Sequence, residues 1–213
     1  MRSYDNYLFD LDGTLIDSTG LIVDCFRYSL KKVAGIEVDP ELIKSQVGLP
    51  LKEQFSMHLK GRETKYSVED AMKIHMDYQV SVWKEHLRLI DGVIPTLEAI
   101  KARGARLAVV TSRRIHTAEL YAEGLGIKHF FETFVTPEST KKHKPHPEPA
   151  LEAMRRLGAK PGESLFVGDA IFDIQSGRDA GTDTCYVAWG HGKASELAVK
   201  PTWVIQRMEE LIQ

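Results

Sequence analysis

The chain is poor in the features that mark secreted, membrane-spanning, zinc-binding and nucleic-acid-binding proteins. Among its 213 residues are only two cysteines, Cys25 and Cys185, far apart and in no C-x-x-C pattern. That spacing offers no disulfide framework and points to reduced, partly buried thiols, as in a cytoplasmic protein. No segment approaches the run of about 20 apolar residues needed to span a bilayer. The opening residues Met1-Arg2-Ser3-Tyr4-Asp5 lack the apolar stretch of a signal peptide. The eight histidines form neither an H-x-H nor an H-E-x-x-H pair, so no zinc site is expected. The formal net charge is −2, and the densest basic run, Lys141-Lys142-His143-Lys144, is short. Binding of nucleic acid needs a concentrated basic face, which this composition does not supply. Internal repeats and low-complexity segments are also missing. The expectation is a cytoplasmic protein without nucleic-acid or membrane partners, either a monomer or a homodimer.

What is present is an ordinary globular balance, 43% hydrophobic and 27% charged, in a chain long enough for one large domain or a domain with an insertion. Three apolar runs stop on oxygen-bearing side chains. Tyr7-Leu8-Phe9 stops at Asp10, Leu107-Ala108-Val109-Val110 at Thr111-Ser112, and Leu165-Phe166-Val167-Gly168 at Asp169. Near-continuous apolar runs suit strands covered on both faces. The pattern predicts strands over 4–9, 106–110, 133–135, 164–167, 184–187 and 203–205. Helical patterns lie between most of them, at 115–123, 147–157 and 171–180. Alternating strand and helix implies an α/β fold with a mostly parallel, doubly wound, Rossmann-like sheet. If the three runs are neighbours, their polar ends gather carboxylates and hydroxyls at one edge, a place for a divalent cation and a phosphoryl group.

One interval breaks the alternation. Between Asp12 and Arg106 no strand is expected, and the stretch exceeds one crossover helix. Ile22, Cys25, Phe26, Leu30 and Val33 form one helical stripe, and Met72, Met76, Val80 and Trp83 another. Asp39-Pro40-Glu41 reads as a cap followed by a first-turn proline. Ser67-Val68-Glu69-Asp70 resembles a capping box. The expected division is a core of residues 1–17 and 89–213 with an all-helical cap inserted at 18–88. An insertion after the first strand follows the carboxyl edge, where open α/β sheets bind ligands, and a helical lid there excludes water and selects substrates.

The residues at the strand ends carry the chemistry. Asp10 and Asp12 are a carboxylate pair: one acts as nucleophile toward phosphorus, and the other serves as acid and then base. Gly13 lets the chain turn sharply after them. The ordinary alternative is a strand-ending turn. Asp169 offers oxygen to Mg²⁺, and Asp173, one helical turn on, either supports that site or sits in a helix's first turn for the dipole. Thr111 and Ser112 precede a helix, as phosphate donors or as a plain N-cap. Lys144, held between Pro145 and the basic run, is a fixed cation or a surface lysine. Arg113 and Arg114 are not separable, and Trp189-Gly190-His191-Gly192 either borders the site or only turns the chain.

Taken in order, Asp10-Leu11-Asp12-Gly13-Thr14-Leu15, Val110-Thr111-Ser112, Lys144-Pro145-His146-Pro147 and Gly168-Asp169-Ala170-Ile171-Phe172-Asp173 resemble the motifs of the haloacid dehalogenase superfamily of phosphotransferases. The resemblance spans nearly the whole chain and implies a Rossmann-like core with a helical cap. It implies Asp10 as nucleophile and Mg²⁺ ligand, Asp12 as general acid/base with a backbone carbonyl to the metal, and Asp169 as metal ligand supported by Asp173. Thr111 and Lys144 then bind phosphate, with Ser112 beside them. Asp12 sets the chain apart from true haloacid dehalogenases, which lack an acid there. The chain is most similar to the phosphoglycolate phosphatase and pyrophosphatase group. That implies a Mg²⁺-dependent hydrolase of a small, phosphoglycolate-like phosphorylated metabolite, working through an aspartyl-phosphate. Inorganic pyrophosphatase and β-phosphoglucomutase-like phosphotransfer are the enzymatic alternatives, and a non-catalytic binding module the other. In Gly48-Leu49-Pro50-Leu51-Lys52, Leu51 stands where a mutase would carry arginine.

Overall fold

The computed structural model describes residues 1–47, 49–192 and 199–213. Its main sheet has six strands, all parallel, in the order β5-β4-β1-β6-β7-β8. The strands are β1 (Asn6–Phe9), β4 (Arg106–Val110), β5 (Thr133–Val135), β6 (Ser164–Gly168), β7 (Asp183–Val187) and β8 (Trp203–Ile205). Between them run α5 (Val93–Ala102), α6 (Ile115–Gly124), α7 (Glu148–Leu157) and α8 (Ile171–Asp179). All four residues of β1 and all five of β6 are buried, including the polar Asn6 and Ser164 that open them, as in strands covered on both faces. On one face Leu8, Ala108, Val110 and Phe166 pack with Ala153 and Met154 of α7. The opposite-pointing Tyr7 and Phe9 stack with ring centroids 6.0 Å apart, and Phe9 meets Phe131 edge-on.

Register gathers the polar strand ends. Phe9 pairs with Val109 on one side and Val167 on the other. The Asp10 N–H donates to the Val167 carbonyl at 2.9 Å, and the Thr111 N–H to the Val135 carbonyl at 3.0 Å. From β1 the chain winds to β4 and β5, then returns to the other side for β6, β7 and β8. The β1 end is therefore the switch point, the place at the carboxyl edge where open α/β sheets bind ligands.

The chain divides into two compact units, Met1–Asp17 with Arg88–Gln213, and Ser18–Leu87. The second is built from α1 (Thr19–Ala34), α2 (Pro40–Ser45), α3 (Leu51–Leu59) and α4 (Val68–His86). Asp39 caps α2 by accepting the Glu41 N–H at 2.9 Å. Ser67 and Asp70 form the reciprocal capping box of α4. The α1 stripe packs as its spacing predicts, with Cys25, Phe26, Leu30 and Val33 buried. On α4 Trp83 is buried as expected, but Met72, Met76 and Val80 each lie one position past the buried residue. Its buried residues are Ala71, His75, Gln79 and Trp83, whereas Val80 is exposed. His75 occupies the place expected of a methionine, with its ring 4.7 Å from Phe26 and 5.5 Å from Phe55 between centroids.

A second correction concerns strands. Residues 12–106 do contain two: β2 (Ile16–Asp17) and β3 (Arg88–Leu89), an antiparallel pair in which Asp17 faces Arg88. Two residues carry no period, so neither was legible. No helix of the described residues is long and apolar enough to cross a membrane.

Candidate active site

Asp10 leaves β1 directly and its carboxylate is buried, 6% exposed. Lys144 reaches it from the loop before α7. The Lys144 ammonium donates to Asp10 Oδ1 and Asp173 Oδ1, both at 2.6 Å, and to the Val110 carbonyl at 3.2 Å. Its side chain is only 7% exposed. Here the surface-lysine alternative fails, while Lys141 and Lys142 beside it are exposed. Burial opposes the charge on Lys144, but Asp10 and Asp173 outweigh it and hold the ammonium above the usual lysine range.

Asp169 follows β6 and Asp173 stands in the first turn of α8. Oxygens of Asp10, Asp169 and Asp173 lie within 4.8 Å of one another. Burial pushes the Asp10 carboxyl well above the usual range; Lys144 pulls it down, and Asp173 and Asp169 push it further up. Asp173 is raised for the same reasons, burial first, then the pull of Lys144 and the push of Asp169. Asp173 does stand in the helix's first turn, where its Oδ2 accepts the Ala170 N–H at 3.0 Å while Oδ1 faces Lys144. Three buried carboxylates around a single ammonium leave an excess of negative charge. An all-oxygen donor set of this kind fits a hard divalent cation such as Mg²⁺.

Asp12 faces elsewhere. Its oxygens accept from Arg113, Oδ2 from Nε at 2.8 Å and Oδ1 from Nη2 at 2.6 Å. No local pattern signals this pair, whose members are 101 positions apart. Thr111 is buried, and its Oγ1 accepts the Arg113 N–H at 3.1 Å. Ser112 is exposed. Neither residue caps α6: Arg114 stands at the N-cap, and the Ile115 N–H donates to Glu138 Oε2 at 3.3 Å.

The glycine-rich turn after β7 does border the site. The His191 N–H donates to Asp169 Oδ2 at 2.7 Å, and Trp189 Nε1 donates to the Thr14 carbonyl at 3.2 Å. Gly13 adopts φ +77°, and a Cβ there would run into the Asp169 carboxylate. A Cβ at Gly190 would strike the same side chain. The glycines thus let two loops close around Asp169. Of the cap-loop stretch singled out in the sequence, Gly48 lies outside the described residues. Lys52 is exposed and pairs with Glu69 at 2.9 Å.

Such an edge, with a buried carboxylate, a fixed ammonium and a second acid two residues on, can carry phosphoryl transfer. The profile of the haloacid dehalogenase-like hydrolases matches residues 7–187. The chain belongs to this family. Within the family it is a phosphatase. It is 34% identical over 209 residues to pyrophosphatase PpaX of Bacillus velezensis, covering 96% of this chain and 93% of that one. Identity to pyrophosphatase PpaX of Bacillus cereus is 34% over 206 residues with the same coverage. A solved structure described as a predicted phosphoglycolate phosphatase, from Haemophilus somnus, superposes with a TM-score of 0.86 at 25% identity. The match covers 100% of this chain and 98% of that one. In other haloacid dehalogenase-like hydrolases, as in this chain, the fold alone leaves the leaving group unspecified.

Proposed function

We propose that the protein is a Mg²⁺-dependent hydrolase of a small phosphorylated metabolite, acting through an aspartyl-phosphate on Asp10. The observation that carries this reading is the buried Asp10 carboxylate held at 2.6 Å by the Lys144 ammonium, itself anchored on Asp173. A surface ion pair needs no such burial; a nucleophile that must not rotate does. An Asp10 oxygen attacks phosphorus, forming one P–O bond as the bond to the leaving oxygen breaks. Asp12, released from Arg113 and carrying a proton, gives that proton to the leaving oxygen. Water then attacks phosphorus, Asp12 takes a proton from the water, and phosphate departs with Asp10 restored. Lys144 and the Thr111 hydroxyl counter the charge on the phosphoryl oxygens, with Ser112 beside them. Asp10, Asp169, the Asp12 carbonyl and, in support, Asp173 would hold Mg²⁺, which supplies further positive charge at those oxygens.

Two substrates stand first. A phosphoglycolate-like monoester fits the solved relative from Haemophilus somnus. Inorganic pyrophosphate is favoured by the two Bacillus relatives of that name. Phosphate release from each in the presence of Mg²⁺ separates them. The Asp10→Asn variant should lose turnover by at least about 10³-fold, because no other group replaces a nucleophile. Wild-type rates in that variant would overturn the mechanism, and full activity after chelation would overturn the metal.

A further inference from the structure

The structure separates the two arginines that follow Ser112. Arg114 is exposed, and its Nε meets Glu138 at 3.1 Å. Arg113 is drawn inward, its side chain 10% exposed. Its guanidinium carbon sits 4.7 Å from the Tyr121 ring centroid. Its backbone N–H is tied to Thr111 Oγ1 at 3.1 Å. Its Nε and Nη2 form a two-pronged grip on Asp12, at 2.8 and 2.6 Å. The cation is thus restrained from the ring below, from its own backbone and from the carboxylate ahead. Asp12 holds the charge of Arg113 above the usual arginine range despite burial.

Lys144 already answers Asp10 and Asp173. The guanidinium fork has a geometry that matches carboxylate and phosphate oxygens in pairs, which an ammonium cannot reproduce. The carboxylate of Asp12 shows the shape of anion it accepts. We propose that Arg113 is a specificity-determining residue that receives an anionic group on the leaving side of the substrate, a phosphate or a carboxylate beyond the scissile oxygen. The inference rests on the proposed role of Asp12 as the group facing the leaving oxygen. The substrate's anion then shares or replaces Asp12 on the fork, which brings the leaving oxygen to the acid.

The test compares three substrates: inorganic pyrophosphate, phosphoglycolate and p-nitrophenyl phosphate, whose leaving group has no second anionic group. For wild type, Arg113→Lys and Arg113→Gln, the quantity read is kcat/KM on each anionic substrate divided by kcat/KM on p-nitrophenyl phosphate. This ratio does not depend on the fraction of enzyme that is folded. Loss of a two-pronged charged contact should lower it by on the order of 30-fold in Arg113→Gln. Arg113→Lys, which keeps charge but not the fork, should fall between. A drop confined to pyrophosphate, or to phosphoglycolate, identifies which anion the fork receives. An unchanged ratio overturns the proposal and leaves Arg113 as a positioning residue for Asp12. So does a wild type that prefers p-nitrophenyl phosphate to both. Failure of the underlying role of Asp12 reads differently, as an Asp12→Asn variant that hydrolyses phosphoglycolate at the wild-type rate.

Discussion

Lys144 is the residue on which the site's electrostatics turn. It contacts two buried carboxylates and a carbonyl with a single ammonium, and little solvent reaches it to replace those bonds. Lys144→Met keeps the length of the side chain and removes the charge. Asp10 and Asp173 are then left buried without their counterion, a loss measured in comparable ion pairs at about 3–5 kcal/mol. Urea unfolding of the metal-free protein should register a stability loss in that range, and turnover should fall with it. A variant as stable as wild type would show that water or local rearrangement already answers the two carboxylates. The role of Lys144 was legible from its setting just before Pro145 and Pro147 only in combination with the other motifs. Arg113 was not legible at all. Arg113 and Arg114 are neighbours of one type in one loop, and what separates them is an acid on another strand end and an aromatic ring on α6.

Elements were legible in proportion to how much of their pattern lies within themselves. β4, β5 and β8 are unbroken apolar or β-branched runs and coincide with the expected spans. β2 and β3 are too short for any period, and their pairing is set by where the insertion leaves and rejoins the chain. On α4 the spacing of Met72, Met76, Val80 and Trp83 predicts the buried face; Trp83 lies on it, but His75 and Gln79 take the places of a methionine and the valine. Hydropathy ranks those residues as surface, while the Phe26 and Phe55 rings accept an imidazole edge. Helix α7 carries its own test of local electrostatics. Glu152 accepts from Arg155 at 2.7 and 2.8 Å and from Arg156 at 2.7 Å, and the two arginines depress its carboxyl to about 2. A depressed folded value means the contribution is present above the unfolded carboxylate range and is lost as pH falls toward 2. Both arginines reach solvent, so salt screens the pairs and their worth stays below about 1 kcal/mol. Glu152→Gln should therefore flatten stability between about pH 4.5 and 2 by no more than that, and leave neutral-pH turnover unchanged. An acid limb as steep as wild type would show that the three side chains do not hold one another in solution.

At the scale of the molecule, every candidate catalytic group lies in the unit made of Met1–Asp17 and Arg88–Gln213. The inserted unit brings its own core, in which Phe26, Phe55, Ile43 and Leu59 are buried together. The sequence showed this insertion as a long gap in the strand–helix alternation, with helical stripes inside it. The joint became visible only in three dimensions. The chain leaves the core at Asp17 and re-enters at Arg88, and those two residues face each other across the β2–β3 pair. An antiparallel pair with adjacent ends is the geometry that a two-residue Asn-Gly turn closes. Replacing residues 18–87 by Asn-Gly should therefore leave a core that folds by itself. Trp189 and Trp203 remain as fluorescent reporters after Trp83 is removed. Urea unfolding followed by their fluorescence and by far-ultraviolet circular dichroism should give one coincident transition, the mark of a cooperative unit. The shortened protein should still hydrolyse p-nitrophenyl phosphate, because Asp10, Asp12, Lys144 and Asp169 are all retained, but at a lower kcat/KM. Two separated transitions would mean that the core depends on the insertion to fold. A coincident transition with no hydrolysis would instead place part of the chemistry on the helices.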